Sequence, residues 1–309
     1  MSVFSRRTLT AVAAVAGLGV LAACGTSDPM GTSPATTDPG AATGDTTLVV
    51  GSQAYYSNEI IAEIYAQALE GAGYTVEREY QIGQREVYLP ELEAGDLDVM
   101  PEYGGNLLQY YNSDAEVTDT ASIVEALGQE LPDGLRVLTP AEASDQDSYT
   151  VTRAFADEHN LTAIGDLAGI DGLTIAANSE FATRPYGPDG VQQAYGVTIA
   201  LTPVEDSGGP LTLRALLDGT TQVADLYTAD PAIADNDLVV LDDPESLILP
   251  QNVLPLVSER VDAEAEAVLD DVNAQLSASD LQELNAQSVN EQRRSADIAS
   301  EWLAAKGLA

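Results

Sequence analysis

The sequence predicts an α/β protein of two lobes joined by two crossovers. Three observations carry that expectation. At 309 residues the chain is long for one small domain, and 45% of it is apolar, enough to build more than one core. A strand–helix–strand alternation, the pattern of sheets flanked by helices, runs to about residue 149 and then starts again. After Pro250 the pattern is mostly helical, as expected of a chain returning to complete its first lobe.

Taken in order, residues 47–52 read as a β run closed by Gly51. Ser57 or Asn58 suits a helix cap, and apolar side chains then follow at helical spacing over 59–70: Ile60, Ile61, Ile64, Tyr65, Ala68, Leu69. Gly71 and Gly73 end that helix. A strand over 75–80 comes next, then a helix over 85–94 kinked at Pro90 and stopped by Gly95. A short buried strand over 97–100 halts at Pro101, and a helix over 121–131 and strands at 135–138 and 149–152 follow. The second alternation places strands at 173–176, 197–201, 223–227 and 238–241, in parallel sheets with helices on both faces. Helices at 264–276, 279–289 and 298–303 close the chain. The expected boundaries are 47–149 with 250–309 for one lobe and 150–249 for the other. Open α/β sheets bind ligands beyond the carboxyl ends of their strands. Gln53 and Tyr55 follow the first strand, Tyr103 the third, and Tyr227 the run "QVADL". These positions predict a cleft between the lobes.

Charge narrows the partners. Twelve basic residues, only one of them lysine (Lys306), stand against 50 acidic ones, a net charge of −38. Such a surface disfavours nucleic acid and anionic lipid as partners and weakly favours cationic ligands, and it equally suits an exported protein kept soluble in a salty habitat. Catalysis has little support. His159 is the single histidine and sits in the polar stretch "ADEHNLT", so zinc and Cys/His chemistry are not expected. Asp96 and Asp98 point to opposite faces of an extended chain and make a poor acid–base pair. There is no Gly-rich phosphate loop ending in Lys-Ser/Thr. No enzyme activity, cofactor or metal is expected.

The N-terminus carries Arg6 and Arg7 and then an apolar, small-residue run over 10–23, short for a membrane span, ending in Leu21-Ala22-Ala23-Cys24-Gly25. This resembles a bacterial lipoprotein signal, and Cys24 is the only cysteine. The expectation is a signal peptide over 1–23, lipidation at Cys24 and a disordered Gly/Ser/Thr/Pro tether over 24–46. That puts the folded body at the outer face of the bacterial cytoplasmic membrane. Arg6-Arg7 fits a general or a twin-arginine export signal equally.

"LVVGSQAYYSNEIIAEIYAQALEGAGY", "LEAGDLDVMPEYGGNLL", "DLAGIDGLTIAANSEFATRPYGPDGVQQAYG" and "LYTADPAI" together resemble the substrate-binding proteins of osmoprotectant ABC importers. The resemblance runs from about Leu48 to the C-terminus. It implies a type II periplasmic-binding-protein-like fold, a quaternary-amine ligand such as glycine betaine, choline or carnitine in an aromatic box between the lobes, and permease and ATPase partners. It also implies ligand-binding roles for Tyr103, Tyr149 and Tyr227, and for Arg184 as the partner of a ligand carboxylate. Gln53 stands where lysine is common, Gly104 and Asn106 where threonine is, and Leu213 where some members carry a further tyrosine. The lost lysine leaves open a choice between a zwitterion and a plain cation.

A quaternary ammonium has no N–H to donate, so aromatic faces must recognise it, each contributing about 0.5–2 kcal/mol. On this reading Tyr103 is a cage wall, Tyr55 a candidate wall and Asn106 a polar neighbour. Pro101 fixes the exit from the strand, Gly104-Gly105 let the backbone approach the ligand, and Glu102 reads as a solvated side chain, with a cleft anion as the alternative. Three readings compete: another betaine-like solute or amino acid, ergothioneine included; a surface-anchored hydrolase, for which no nucleophile–base pair is evident; and a non-transport sensor or scaffold on the same fold.

Overall fold

The computed structural model describes residues 47–115 and 117–309. The expected signal peptide, Cys24 and tether lie outside the described residues.

The chain opens with β1 (Thr47–Gly51), α1 (Tyr56–Gly71), β2 (Thr75–Glu79), α2 (Arg85–Ala94), β3 (Val99–Tyr103), α3 (Gly104–Tyr111), α4 (Thr120–Glu130) and β4 (Leu135–Val137). The expected apolar stripe of α1 is buried: Ile60, Ile61, Ile64, Tyr65, Ala68 and Leu69. Helix α2 runs unbroken through Pro90 and ends at Gly95, whose φ of 79° is a conformation glycine adopts without strain. Asp119 caps α4 by accepting from the Ser122 N–H.

A first crossover leads to β5 (Tyr149–Thr152), α5 (Arg153–His159), β6 (Thr174–Ala177), α6 (Pro188–Tyr195), β7 (Ala200–Pro203), α7 (Pro210–Leu217), β8 (Val223–Asp225), α8 (Ala232–Asp235) and β9 (Leu238–Val240). A second crossover returns to β10 (Val253–Ser258), α9 (Ala263–Asn273), α10 (Ala278–Val289) and α11 (Ser295–Lys306). Asp262 caps α9, and Ser277 with Asp280 forms a capping box on α10.

Two five-stranded sheets result, ordered β2-β1-β3-β10-β4 and β7-β6-β8-β5-β9. The two orders are equivalent. In each, the strand just after a crossover runs antiparallel inside an otherwise parallel sheet: β10 between β3 and β4, β5 between β8 and β9. The sheets are therefore mixed, where strand–helix alternation had predicted parallel ones. The stretch after Pro250 also begins with a central strand rather than a helix. Its Pro255 lies directly opposite Pro101 of β3, and β3 continues past Pro101 to Tyr103 instead of stopping there. The Pro101 carbonyl accepts from Asn58 Nδ2 at 3.0 Å, and that of Pro255 from the Leu138 N–H at 2.9 Å.

Each lobe has its own core. One joins α1 to the C-terminal helices through residues such as Ile61, Leu269, Leu284 and Trp302. The other gathers Val151, Ile164, Ile175, Val191 and Val223 on the second sheet. The carboxyl ends of β1, β3, β6 and β8 all lead to one cavity between the lobes, whose lining includes Gln53, Tyr103, Asn178 and Asp225.

Candidate functional site

Tyr55, Tyr103 and Tyr227 come from three strand ends in two lobes and meet. The rings of Tyr55 and Tyr103 lie 6.3 Å apart and 30° from parallel, while Tyr227 presents an edge to Tyr55 at 5.1 Å and 62°. Phe181 and Tyr186, on the loop after β6, line the same cavity and contact each other at 5.7 Å. The lobes close upon this space, leaving about 30 Å³, room for roughly two waters.

Polar groups converge there too. Gln53 donates its backbone N–H to Asn58 Oδ1, but its buried side-chain Nε2 has no protein partner. The buried Tyr103 hydroxyl has none either. Burial, then the nearby Asp145, pushes that hydroxyl above the usual tyrosine range. Asn106 donates to Asp147 Oδ2 at 2.6 Å and accepts from Gln251 Nε2 at 2.8 Å, so it ties the two crossovers together beneath the cavity.

Arg184 lines the cavity and forms an ion pair with Glu86 of α2 at 2.8 Å, bridging the lobes. Gln84 Nε2 makes a second bridge, donating to Ser207 Oγ at 2.9 Å. Every one of the ten arginines and lysines among the described residues is in an ion pair. The cavity's acids have no such partner. Asp145 accepts from the Ala229 N–H at 2.9 Å, and burial pushes its carboxyl up to about 7. Asp225 accepts from the Ser148 N–H at 3.2 Å. Burial, then the charge of Asp147, raises it well above the usual carboxylate range.

Of the residues singled out in the sequence, Gln53, Tyr55, Tyr103, Asn106, Arg184 and Tyr227 line this cavity. Tyr149 does not. Its ring packs behind Phe181 at 6.1 Å and its hydroxyl donates to the Tyr186 carbonyl at 2.7 Å, so it supports the wall from inside the lobe. Glu102 is not solvated: it is fully buried and takes two bonds from Arg85, at 2.9 and 2.7 Å, together with the Tyr88 hydroxyl. Gly105 serves the crossover rather than the ligand. A Cβ there would meet Leu249, Pro250 and Gln251 at 2.6–2.7 Å. Sequence reasoning missed Tyr186, Phe181 and the three aspartates. Tyr186 follows Arg184 by two residues in "ATRPYG", a signal that was available.

The chain has relatives among known proteins. Residues 46–305 match the family model for the substrate-binding domain of ABC-type glycine betaine transport systems. The chain belongs to this family. It is a family of solute-binding domains rather than enzymes. The chain is 28% identical over 275 residues to the glycine betaine-binding protein YehZ of Escherichia coli strain K12, covering 84% of this chain and 90% of that one. It is 26% identical over 271 residues to a glycine-betaine-binding protein of Pseudomonas aeruginosa, covering 83% and 87%. Among solved structures it is similar to that of a glycine betaine/carnitine/choline ABC transporter, with a TM-score of 0.68 at 20% identity over 86% of this chain and 99% of that one. It is also similar to ligand-free YehZ of Escherichia coli, with a TM-score of 0.60 at 26% identity over 86% and 100%. The two-lobed periplasmic-binding fold is thereby established.

Proposed function

We propose that the protein captures a quaternary-amine osmoprotectant such as glycine betaine, choline or carnitine between its lobes and delivers it to an ABC permease powered by a separate ATPase. Cys24 would carry the lipid that holds the body at the outer face of the cytoplasmic membrane. The observation that carries this reading is the meeting of Tyr55, Tyr103 and Tyr227, from both lobes, around one cavity. Methylated ammonium groups are attracted to aromatic faces and offer no hydrogen-bond donor, so a tyrosine box suits them where a polar site would not. The names of the relatives support the same ligand class.

Capture between the closed lobes requires them to part and reclose. Hinge motion at the two crossovers would do this, breaking the Arg184–Glu86 and Gln84–Ser207 bridges. Tyr149 is reassigned from ligand contact to support of Tyr186 and Phe181.

Calorimetric titration with glycine betaine, choline and carnitine tests the reading, with proline and ergothioneine as contrasts. At least one quaternary amine is expected to bind with one-to-one stoichiometry. Tyr103→Ala, which removes one wall, is expected to weaken that binding by about 3- to 30-fold while the circular dichroism stays unchanged. Failure of all three amines to bind would overturn the reading, and unchanged affinity in the variant would remove Tyr103 from the box.

A further inference from the structure

The cavity's charges do not balance. Asp145, Asp147 and Asp225, each less than one-tenth exposed, line it, and Glu180 stands at its edge. Two cations line it as well, but both are engaged by acids outside the lining: Arg85 by the buried Glu102, and Arg184 by Glu86. None of the described arginines or lysines is left to answer the aspartates.

Two independent features mark this acidic cavity as a ligand site. Gln53 Nε2 and the Tyr103 hydroxyl are buried and unpartnered within it, so a guest with an oxygen acceptor would find donors in place. The rings of Tyr55, Tyr103 and Tyr227 line the same space, and an organic cation is the guest that suits them.

Asp147 and Asp225 line one cavity, and burial with the charge of Asp147 raises Asp225 well above the usual carboxylate range. The groups facing the pair are Asp145 on the same crossover, Glu180 and Tyr186 on the loop after β6, Tyr227 after β8, and the already paired Arg85 and Arg184. None of the uncommitted ones is basic.

We propose that this cleft selects by net charge: it takes a quaternary ammonium cation bearing a neutral oxygen, in preference to a zwitterionic betaine. The ammonium supplies the positive charge that the lining aspartates lack, and the neutral oxygen accepts from Gln53 Nε2 and the Tyr103 hydroxyl. A betaine brings its own carboxylate into the acidic cavity and must also displace Glu86 from Arg184 to pair it. The inference rests on the quaternary-amine reading above.

Titration of the purified protein with choline and with glycine betaine at pH 8 tests it. Choline is expected to bind more tightly than glycine betaine. Asp225→Asn, checked for folding by its thermal melt, is expected to narrow that preference, and Asp147→Asn serves as a second variant. Tighter binding of glycine betaine would overturn the inference alone. Binding of neither would overturn the quaternary-amine reading with it.

Discussion

Glu102 and Tyr103 are neighbours on β3 that face opposite ways, as alternation along a strand requires. Tyr103 looks into the cleft. Glu102 looks into the lobe, where it accepts from Arg85, the Tyr88 hydroxyl and the Tyr103 N–H. The pair with Arg85 is almost fully buried, so removing the acid strands a guanidinium in the core. Glu102→Gln is expected to destabilise the protein by about 3–5 kcal/mol, read as a lowered urea midpoint. A midpoint unchanged from the parent would mean that Arg85 reaches water in the folded state. This residue was misread in the sequence because a lone glutamate beside a tyrosine reads as surface. Its partner lies 17 positions earlier on α2, and only the fold brings the two together.

At the scale of elements, what could be read was what local pattern controls. The α1 stripe, the alternation of each lobe and the strand ends bearing Gln53, Tyr55, Tyr103 and Tyr227 follow from apolar spacing and glycine stops. Strand β10 escaped notice because Pro255 interrupts its apolar run, and β3 was cut short at Pro101 for the same reason. Lying opposite each other, the two prolines put their missing donors on a single rung of the ladder. That pairing joins segments some 150 residues apart and has no local signature. Helix α3 was missed because two glycines open it, yet Gly105 is what lets it approach the second crossover, where a side chain would collide with Pro250. The aspartates of the cavity lie on a crossover and at the end of β8, and nothing in their immediate sequence sets them apart from the rest of the chain's 50 acids.

Over the whole molecule, buried acids set the response to pH. Asp145 has an ordinary value of 3.8 and is pushed up to about 7, first by burial. The folded state therefore holds this proton more tightly than the unfolded chain. Its contribution to stability is complete below about pH 4 and is lost as pH rises from about 4 to about 7, by up to about 4 kcal/mol. Asp225 acts in the same direction. Asp280, held at about 2 despite partial burial by bonds from Ser277, Lys306 and Trp302, works the opposite way but only under strong acid. The ligand-free protein is thus expected to melt at a lower temperature at pH 8 than at pH 5, and Asp145→Asn to reduce the difference. Equal melting temperatures at the two pH values would contradict this assignment of the acids.

The central claim is that a tyrosine box between the lobes, set among acids that lack a basic partner, recognises a methylated ammonium by its charge. The most direct measurement compares choline with its neutral carbon isostere, 3,3-dimethyl-1-butanol, in a calorimetric titration of the purified protein. The two have the same shape and hydroxyl and differ in one nitrogen. The account predicts that choline saturates one site and that the isostere binds at least about 30-fold more weakly. Equal affinity for the two would contradict it, because the cavity would then be reading shape and apolar surface rather than charge.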